Sequence, residues 1–500
     1  MRIEIKETER FSVLFELVMV EKLNRPITGI SIDSRNVKEN DLFVAIQGTQ
    51  FDGHSFIKDV RELGVSCAIV KKADKDLDLQ QVIVKDPISA IILLAEKWRE
   101  QFKIPIICIT GSNGKTSTKE LLVHLLINKF KVHSTTGNHN TQIGLSMTIL
   151  NMSTRDEVSI LEIGASAPNE IQNLCEIAKP THGMITNISS AHLEGFGSID
   201  TIAFEKGALF RYLLDGVSFV NQADSMISKI EFSGKKISYG LTPNCDFPAD
   251  ICQEKNGDLT LILDTQEIPT FSKNLSFLKN SIAASAIAVT LGLGWKELKN
   301  QLKFFTPPKG RCNIRQVNDI TIIDDTYNAN LESTLSSIHY LKAISKSGRK
   351  IFVFGDMYEL GTSTNEQHKQ VGEKCSDLDL VYTLGIHSKI TNKAIRKNIK
   401  IQNVENGIPF KNNFFDLIIS KDTLPLIKKN KMNKVIREII RVAKNKKNIY
   451  LYIQGVSKEN NSKLLKKWEP TTQIRWTSTQ WVEKLKTLGY NGFYEIKHLF

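Results

Sequence analysis

Two hydrophobic periods alternate along most of the chain. Short apolar runs of strand length (IPIICITGS, HSTTG, VSILEIGAS, THGMITNIS and VSFVNQADS) are separated by longer stretches with helical spacing. Runs this apolar suit strands buried on both faces, and regular alternation with helices implies a largely parallel sheet covered on both sides. Ahead of them, residues 1–100 read as a smaller α/β unit. There GISIDSRNVKENDLFVAIQG gives short strands broken by turn residues, and HSFIKDVRELG gives a helix closed by a glycine. Downstream, NSIAASAIAVTLGLG is a helix of small residues, and TPPKGRC is a proline and glycine break that marks a hinge. A second alternating unit comes after it, with strands ITIIDDT, KIFVFGD and LVYTLGI and helices near 332–346 and 364–376. Asn and Lys become frequent over 388–465, and no internal repeat is visible.

Composition narrows the class. A chain of 500 residues has room for about three domains with real cores. No apolar stretch approaches the roughly 20 residues that span a bilayer, and MRIEIKETERF has no signal-peptide core, so a cytoplasmic protein is expected. The seven cysteines include no C-x-x-C pair, which favours reduced thiols over disulfides or zinc. The net charge of +12 comes mostly from beyond residue 389, in runs such as KKNKMNKVIREIIRVAKNKK. Such runs read as solvated helix faces, so no nucleic-acid partner is expected.

Chemistry enters at ICITGSNGKTSTKELL, residues 107–122, where a strand passes through a glycine turn into a helix, as in a phosphate-binding loop. Gly111 and Gly114 let the backbone approach an anion, and the helix start points free N–H groups at it. Lys115 is placed to neutralise phosphate charge and Thr116 to put a hydroxyl on Mg2+. The loop is short: only Ser112 and Asn113 separate its glycines. Further strand ends offer Glu162, Asn187 and His192, and the helix IAFEKGALF offers Lys206. Each has an ordinary reading as well: Glu162 as a turn cap, His192 as a core histidine, Lys206 as a surface lysine. A carboxylate and an imidazole beside a triphosphate do make a workable Mg2+ set.

TGSNGKTS, GNHNTQIG, LEIGASAPNEI, TNISSAHLEGFGS, IAFEKGALF, KNSIAASAIA, GRCNIRQ, DDTYNAN and VFGDMYELG occur in this order, and the series closely resembles the Mur ligases. DSR at 33–35 with GTQFDGHSF at 48–56 resembles the family's uridine-nucleotide domain, and the resemblance covers about residues 25–390. It implies a three-domain α/β architecture: a UDP-substrate-binding domain at 1–100, a central ATP-binding domain with a mostly parallel P-loop-type sheet at 101–312, and a truncated Rossmann-like ligase domain at 313–400. It also implies ATP-driven amide formation between UDP-N-acetylmuramoyl-tripeptide and D-alanyl-D-alanine, through an acyl phosphate, by a monomer. Gly111, Ser112, Asn113, Gly114, Lys115, Thr116 and Ser117 would cradle ATP, with Asn280 facing adenine. Arg311, Asp325, Tyr327 and Asn328 would close over the nucleotide. Thr116, Glu162 and His192 would hold Mg2+, Lys206 would be carbamylated, and Ser34 and Arg35 would contact the UDP substrate. For Tyr327 plain core packing stays open. The chain departs from the family pattern at Ala208, Ser276 and Leu331, none of them a phosphate or metal ligand.

From about residue 401 the sequence resembles something else. NGIPFKNNFFDLIISKDTLPLI, KVIREIIRVAKNKKNIYLYIQG and TSTQWVEKLKTLGYNGFYEIKHLF resemble the second half of a class I S-adenosylmethionine methyltransferase. Neither the glycine-rich loop nor the acidic strand end that holds that cofactor precedes them, so S-adenosylmethionine is not expected to bind. FDLIIS and NIYLYIQG are apolar enough to complete the ligase's third domain as strands beside VYTLG. Two other readings are a catalytically impaired chimera that still binds nucleotides and a related amide ligase such as folylpolyglutamate synthase.

Overall fold

A computed structural model describes residues 1–48, 52–344 and 348–395, and, further on, 408, 411–413, 415, 418–421, 424, 427–445, 447, 449–455, 476–490 and 492–498. The middle of GTQFDGHSF and much of the stretch after 395 lie outside the described residues. The chain divides into two compact units, Met1–Pro308 and Lys309–Phe500, so the break falls inside TPPKGRC.

The first unit opens with five strands paired in chain order: β1 (Arg2–Glu4), β2 (Gly29–Ser31), β3 (Asp41–Val44), β4 (Cys67–Val70) and β5 (Gln80–Ile83). Only β1 runs antiparallel. Successive side chains of a strand face opposite ways, and β3 shows it. Leu42 and Val44 enter a core that continues through the unit, whereas Phe43 packs with Ile57 and Val60 on the other face. Helix Pro87–Arg99 joins this sheet to the central domain. Asp86 caps it by accepting from the Ser89 N–H at 2.9 Å, with proline in its first turn. Its Ile91, Leu94, Ala95 and Trp98 share one buried cluster with residues as distant as Ile185 and Ile227. Residues 1–100 and the central domain therefore share one core across the expected boundary.

The central sheet has nine strands: β6 (Ile106–Thr110), β7 (Val132–Ser134), β8 (Val158–Glu162), β9 (His182–Ile185), β10 (Val217–Asn221), β11 (Lys235–Gly240), β12 (Phe247–Gln253), β13 (Leu259–Leu263) and β14 (Gln266–Ser272). Their order is β14-β13-β12-β11-β10-β9-β6-β8-β7. From β7 to β12 the sheet is parallel, and β6 and β8 are buried along their whole length, as their unbroken apolar runs require. β13 and β14 pair antiparallel as a meander on one edge, which the strand pattern of the sequence does not announce. After β6 the chain lays β7 and β8 on one side and β9 on the other. That reversal opens a crevice at the carboxyl ends of the strands, where open α/β sheets bind ligands. Helix Leu275–Thr290, capped by Asn274, buries Ser281, Ala283, Ala284 and Ala288, whose small side chains let it lie against helix Lys115–Leu126.

In the second unit β15 (Asn313–Val317) and β16 (Ile320–Asp324) form an antiparallel hairpin, and β17 (Ile351–Phe354) pairs in parallel with β18 (Leu380–Thr383). Helices Leu331–Ile344 and Thr364–Lys374 pack around a core containing Ile338, Phe354, Val371 and Val381. FDLIIS and NIYLYIQG do supply strands, β19 (Ile418–Lys421) and β20 (Ile449–Gly455), but not beside β18. They pair in parallel with each other and with β21 (Phe493–His498) in a separate three-stranded sheet. The physical reason is the amphipathic helix Met432–Val442, whose Met432, Val435, Ile436 and Ile439 give this sheet its own core with Trp481 and Leu485. Leu384, just past β18, packs against that core.

His133 on β7 is wholly enclosed. Its Nε2 lies 3.0 Å from the Thr148 carbonyl oxygen, which can only accept, so Nε2 carries the hydrogen and Nδ1 accepts from the Ser159 hydroxyl at 2.9 Å. The neutral ring is fully satisfied, and burial pushes its pKa from 6.5 down to about 4. A group held below its unfolded pKa supports the fold at higher pH and loses that support as pH falls through this interval. Thermal melting should therefore show a smaller fall in Tm between pH 7 and pH 5 for His133→Gln than for the wild type. Equal falls would remove His133 as the cause.

Candidate nucleotide site

The phosphate loop comes directly after β6, and the segment beyond β9 pins it in place. Ser112 N–H donates to the Asn187 carbonyl (2.9 Å), Ser112 Oγ to the Ser189 carbonyl (3.0 Å), and Asn113 N–H to Asn187 Oδ1 (3.0 Å). Thr186 Oγ1 and Asn187 Nδ2 return bonds to the Asn113 carbonyl at 2.6 and 2.9 Å. A two-residue span between glycines is short enough to be held in this way by one neighbouring strand end. Gly111 has φ +143°, and a Cβ there would collide with the Thr186 hydroxyl. Gly114 has φ +80°, and a Cβ there would lie 2.8 Å from Asn280 Oδ1. Both positions need glycine on two counts. They also show that Asn280, from helix Leu275–Thr290, lies against the loop.

Helix Lys115–Leu126 begins at the loop, with Lys115, Thr116 and Ser117 in its first turn. Lys115 Nζ donates to the carbonyls of Gly111 (2.7 Å) and Ser112 (3.3 Å), so the ammonium folds back over the loop. Glu162 ends β8, level with Ile109 of β6. Its Oε1 accepts from Asn140 Nδ2 at 2.9 Å, whereas its Oε2 is buried with no hydrogen-bond partner among the described residues. Burying an unpartnered carboxylate oxygen is costly, so the site is built for a positive partner. A Mg2+ ion, which takes oxygen ligands, fits that oxygen beside a phosphate loop. His192 lies beyond β9, where it caps the short helix Leu193–Phe196 with φ +55°.

Lys206 is buried in helix Ile199–Tyr212, with its Nζ 6.0 Å from the centre of the Phe196 ring. Burial, helped by the Lys115 charge and opposed by Glu205 and Glu170, pushes its ammonium down to about 7. Glu205 beside it accepts from the N–H groups of Asn169 and Ile171, both at 2.7 Å, and so ties this helix to the loop beyond Glu162. Ala208, one of the departures, packs against the unit's core.

Ser34 and Arg35 sit on a 3₁₀ turn at Ser34–Asn36 in the N-terminal sheet. Arg35 forks onto both oxygens of Asp33 at 2.9 Å, and this pairing holds the Asp33 carboxyl down to about 2. Arg35 thus already has an anionic partner. Elsewhere in this domain a cavity of about 490 Å³ is lined by Lys71, Lys72 and Lys75 together with Asp52, Asp74 and His54. The three lysines are not among the residues singled out by motif, although the cluster VKKADK directly after an apolar strand is a usable signal. Asn140 is not among them either; its motif is visible in the sequence, but not its contact with Glu162.

In the second unit Arg311 stacks on Tyr327, with its guanidinium carbon 3.7 Å from the ring centre. Tyr327 is thus exposed and stacked, not core-packed. Asp325 accepts from the Cys312 N–H at 3.1 Å and from the Ser337 hydroxyl, so it closes the hinge onto helix Leu331–Ile344. Asn328 Oδ1 accepts from Ala329 N–H at 2.9 Å. All seven cysteines are free thiols, and among the described residues no helix is long and apolar enough to cross a membrane.

Comparison with known proteins gives the same arrangement in three parts. The sequence matches the family profiles described as Mur ligase family, catalytic domain over residues 26–98, Mur ligase middle domain over 109–288, and Mur ligase, glutamate ligase domain over 310–420. The last match runs past residue 400 into the strand β19. A UDP-N-acetylmuramoyl-tripeptide–D-alanyl-D-alanine ligase from Synechocystis is 35% identical over 361 residues, covering 71% of this chain and 78% of the relative. The crystal structure of MurF from Acinetobacter baumannii superposes with a TM-score of 0.73 at 28% identity, covering 79% of this chain and 90% of that one. MurF from Thermotoga maritima, solved in complex with ADP, gives 0.68 at 29% identity, covering 75% and 89%. The chain belongs to the Mur ligase family.

Proposed function

We propose that this protein joins D-alanyl-D-alanine to UDP-N-acetylmuramoyl-tripeptide at the expense of ATP. The observation that carries the reading is the bare Glu162 oxygen at the same carboxyl end of the sheet as a short, pinned phosphate loop. The relatives' activity supports the choice of substrates. Lys115 leaves the loop carbonyls for the γ-phosphate when ATP enters. Thr116, Glu162 and His192 would hold Mg2+, which neutralises phosphate charge when bound. The terminal carboxylate of the tripeptide attacks the γ-phosphorus, and the bond to ADP breaks. The amine of D-alanyl-D-alanine then attacks the acyl carbon, loses a proton and expels phosphate. Little covalent work falls to the protein; it positions the reactants and supplies charge. The lysine-lined cavity of the N-terminal sheet suits the diphosphate of the UDP group, and Arg311 with Tyr327 offers a cationic, aromatic surface for the nucleotide.

Lys206 fits a carbamate. Addition of CO2 needs the neutral amine and releases one proton, and a buried ammonium lowered to about 7 supplies that amine at neutral pH. The product is an anion, which favours a metal ion beside it where an ammonium would repel one.

For the tail we infer a methyltransferase-like half domain that serves structurally. Its parallel three-stranded sheet is consistent with the middle and late strands of such a fold, and its core takes in Leu384 of the ligase part.

A phosphate-release assay tests the function: release should require ATP, the UDP-tripeptide and D-alanyl-D-alanine together, and release indifferent to either acceptor substrate would refute it. Lys115→Ala should lower kcat by about 10²–10³, the cost of losing one preorganised charge stabiliser; near-normal turnover would take the loop out of the mechanism. Lys206→Ala should be inactive and partly restored by acetate, whereas a fully active Lys206→Arg would end the carbamate reading, because arginine stays charged. Calorimetric titration of the full chain should show no S-adenosylmethionine binding; saturable binding would make the protein bifunctional.

A further inference from the structure

In GNHNTQIG, Asn140 is the residue that holds Glu162. Asn140 Nδ2 donates to Glu162 Oε1 at 2.9 Å, and among the described residues Oε2 of the same carboxylate is buried without a hydrogen-bond partner. The Asn140 main chain meets the same strand end, because its carbonyl accepts from Gly164 N–H at 3.0 Å. The amide also packs against Gly164: a Cβ there would lie 2.9 Å from Nδ2 and 3.0 Å from Cγ, so only glycine leaves space for it. Behind the carboxylate, Thr135 Oγ1 accepts from Glu162 N–H at 2.9 Å. The Thr135 carbonyl in turn accepts from Lys119 Nζ at 2.5 Å, and Lys119 sits on the helix that starts at the phosphate loop. Loop helix, Thr135 and Glu162 are therefore one bonded chain, and Asn140 grips its free end.

The chemistry of the grip matters. A lysine or arginine at this place would pair with the carboxylate and cancel its charge. An amide donates one hydrogen bond and leaves the charge intact. The carboxylate keeps one oxygen saturated and the other bare.

We propose that Asn140 is a positioning residue for the Mg2+ site: it fixes the Glu162 carboxylate with Oε2 turned to the metal and leaves its charge for the ion. This rests on the reading of Glu162 as a Mg2+ ligand. Groups that orient metal ligands typically contribute 10–100-fold to metal affinity.

The test is a Mn2+ titration of the full chain with a non-hydrolysable ATP analogue present, monitored by the electron paramagnetic resonance of free Mn2+. Asn140→Leu keeps the shape of the side chain without the donor, and Asn140→Ala removes both. Thermal melting of each variant reports the fold, and the Leu variant carries the test if the Ala variant unfolds. Both folded variants should bind Mn2+ about 10–100-fold more weakly, with little change in Tm. In a Glu162→Gln background, Asn140→Leu should add no further loss. Unchanged Mn2+ affinity in Asn140→Leu, with weakened affinity in Glu162→Gln, would overturn the proposal and leave the ligand reading standing. Fully additive losses in the double variant would overturn it too. Unchanged affinity in Glu162→Gln would instead remove the ligand reading beneath it.

Discussion

A carboxylate oxygen buried without a hydrogen is the constraint around which the nucleotide site is arranged. Glu162 sits at the end of a fully buried strand, so water is not its default partner. The fold holds it there through neighbours that satisfy everything except Oε2: Asn140 takes Oε1, and Thr135 takes the backbone N–H. Such an arrangement is stable only if a cation completes it, or if the rest of the fold offsets the cost. The Met1–Pro308 unit is equipped for that offset, with one core running from Ile5 through Trp98 to Ile227.

The same economy of space explains the short loop. Held to Asn187 and Ser189 on one side and crowded by Asn280 on the other, it has no room for a longer span or for side chains at Gly111 and Gly114. The helix that brings Asn280 buries Ser281, Ala283, Ala284 and Ala288, whose small side chains let it lie close to the loop helix. Lys206 joins the set through its own neighbour. Glu205 bonds the backbone of the loop beyond Glu162 and so anchors the helix that carries Lys206, while burial lowers the basicity of the lysine against the Glu205 charge. Sequence, packing and chemistry meet at adjacent residues.

The features legible in the sequence obey local rules. β6, β8, β9 and β10 are legible as apolar runs, the loop as a glycine-to-helix transition, and the break at TPPKGRC as the place where the chain divides into two compact units. The antiparallel meander of β13 and β14 is not, since strand direction is a long-range choice that no local pattern records. The expected pairing of β19 and β20 fails for the same reason: their apolar character is real, but the helix Met432–Val442 decides which sheet they join. Among the proposed site residues, Lys115 and Glu162 are suggested by spacing and strand position. Asn140 is not, because its role consists of one hydrogen bond across 22 residues of chain. Arg35 is visible by motif, and the Asp33 beside it, which takes up its guanidinium, is evident only in three dimensions.

The most direct measurement is the location of the metal. Crystals grown with Mn2+ and a non-hydrolysable ATP analogue, with data collected for anomalous scattering, would place the ion without reference to activity. The account predicts an anomalous peak about 2 Å from Glu162 Oε2, with Oε1 still bonded to Asn140. A peak on Oε1, or an ion bound to the phosphates with Glu162 left out of its coordination, would contradict it.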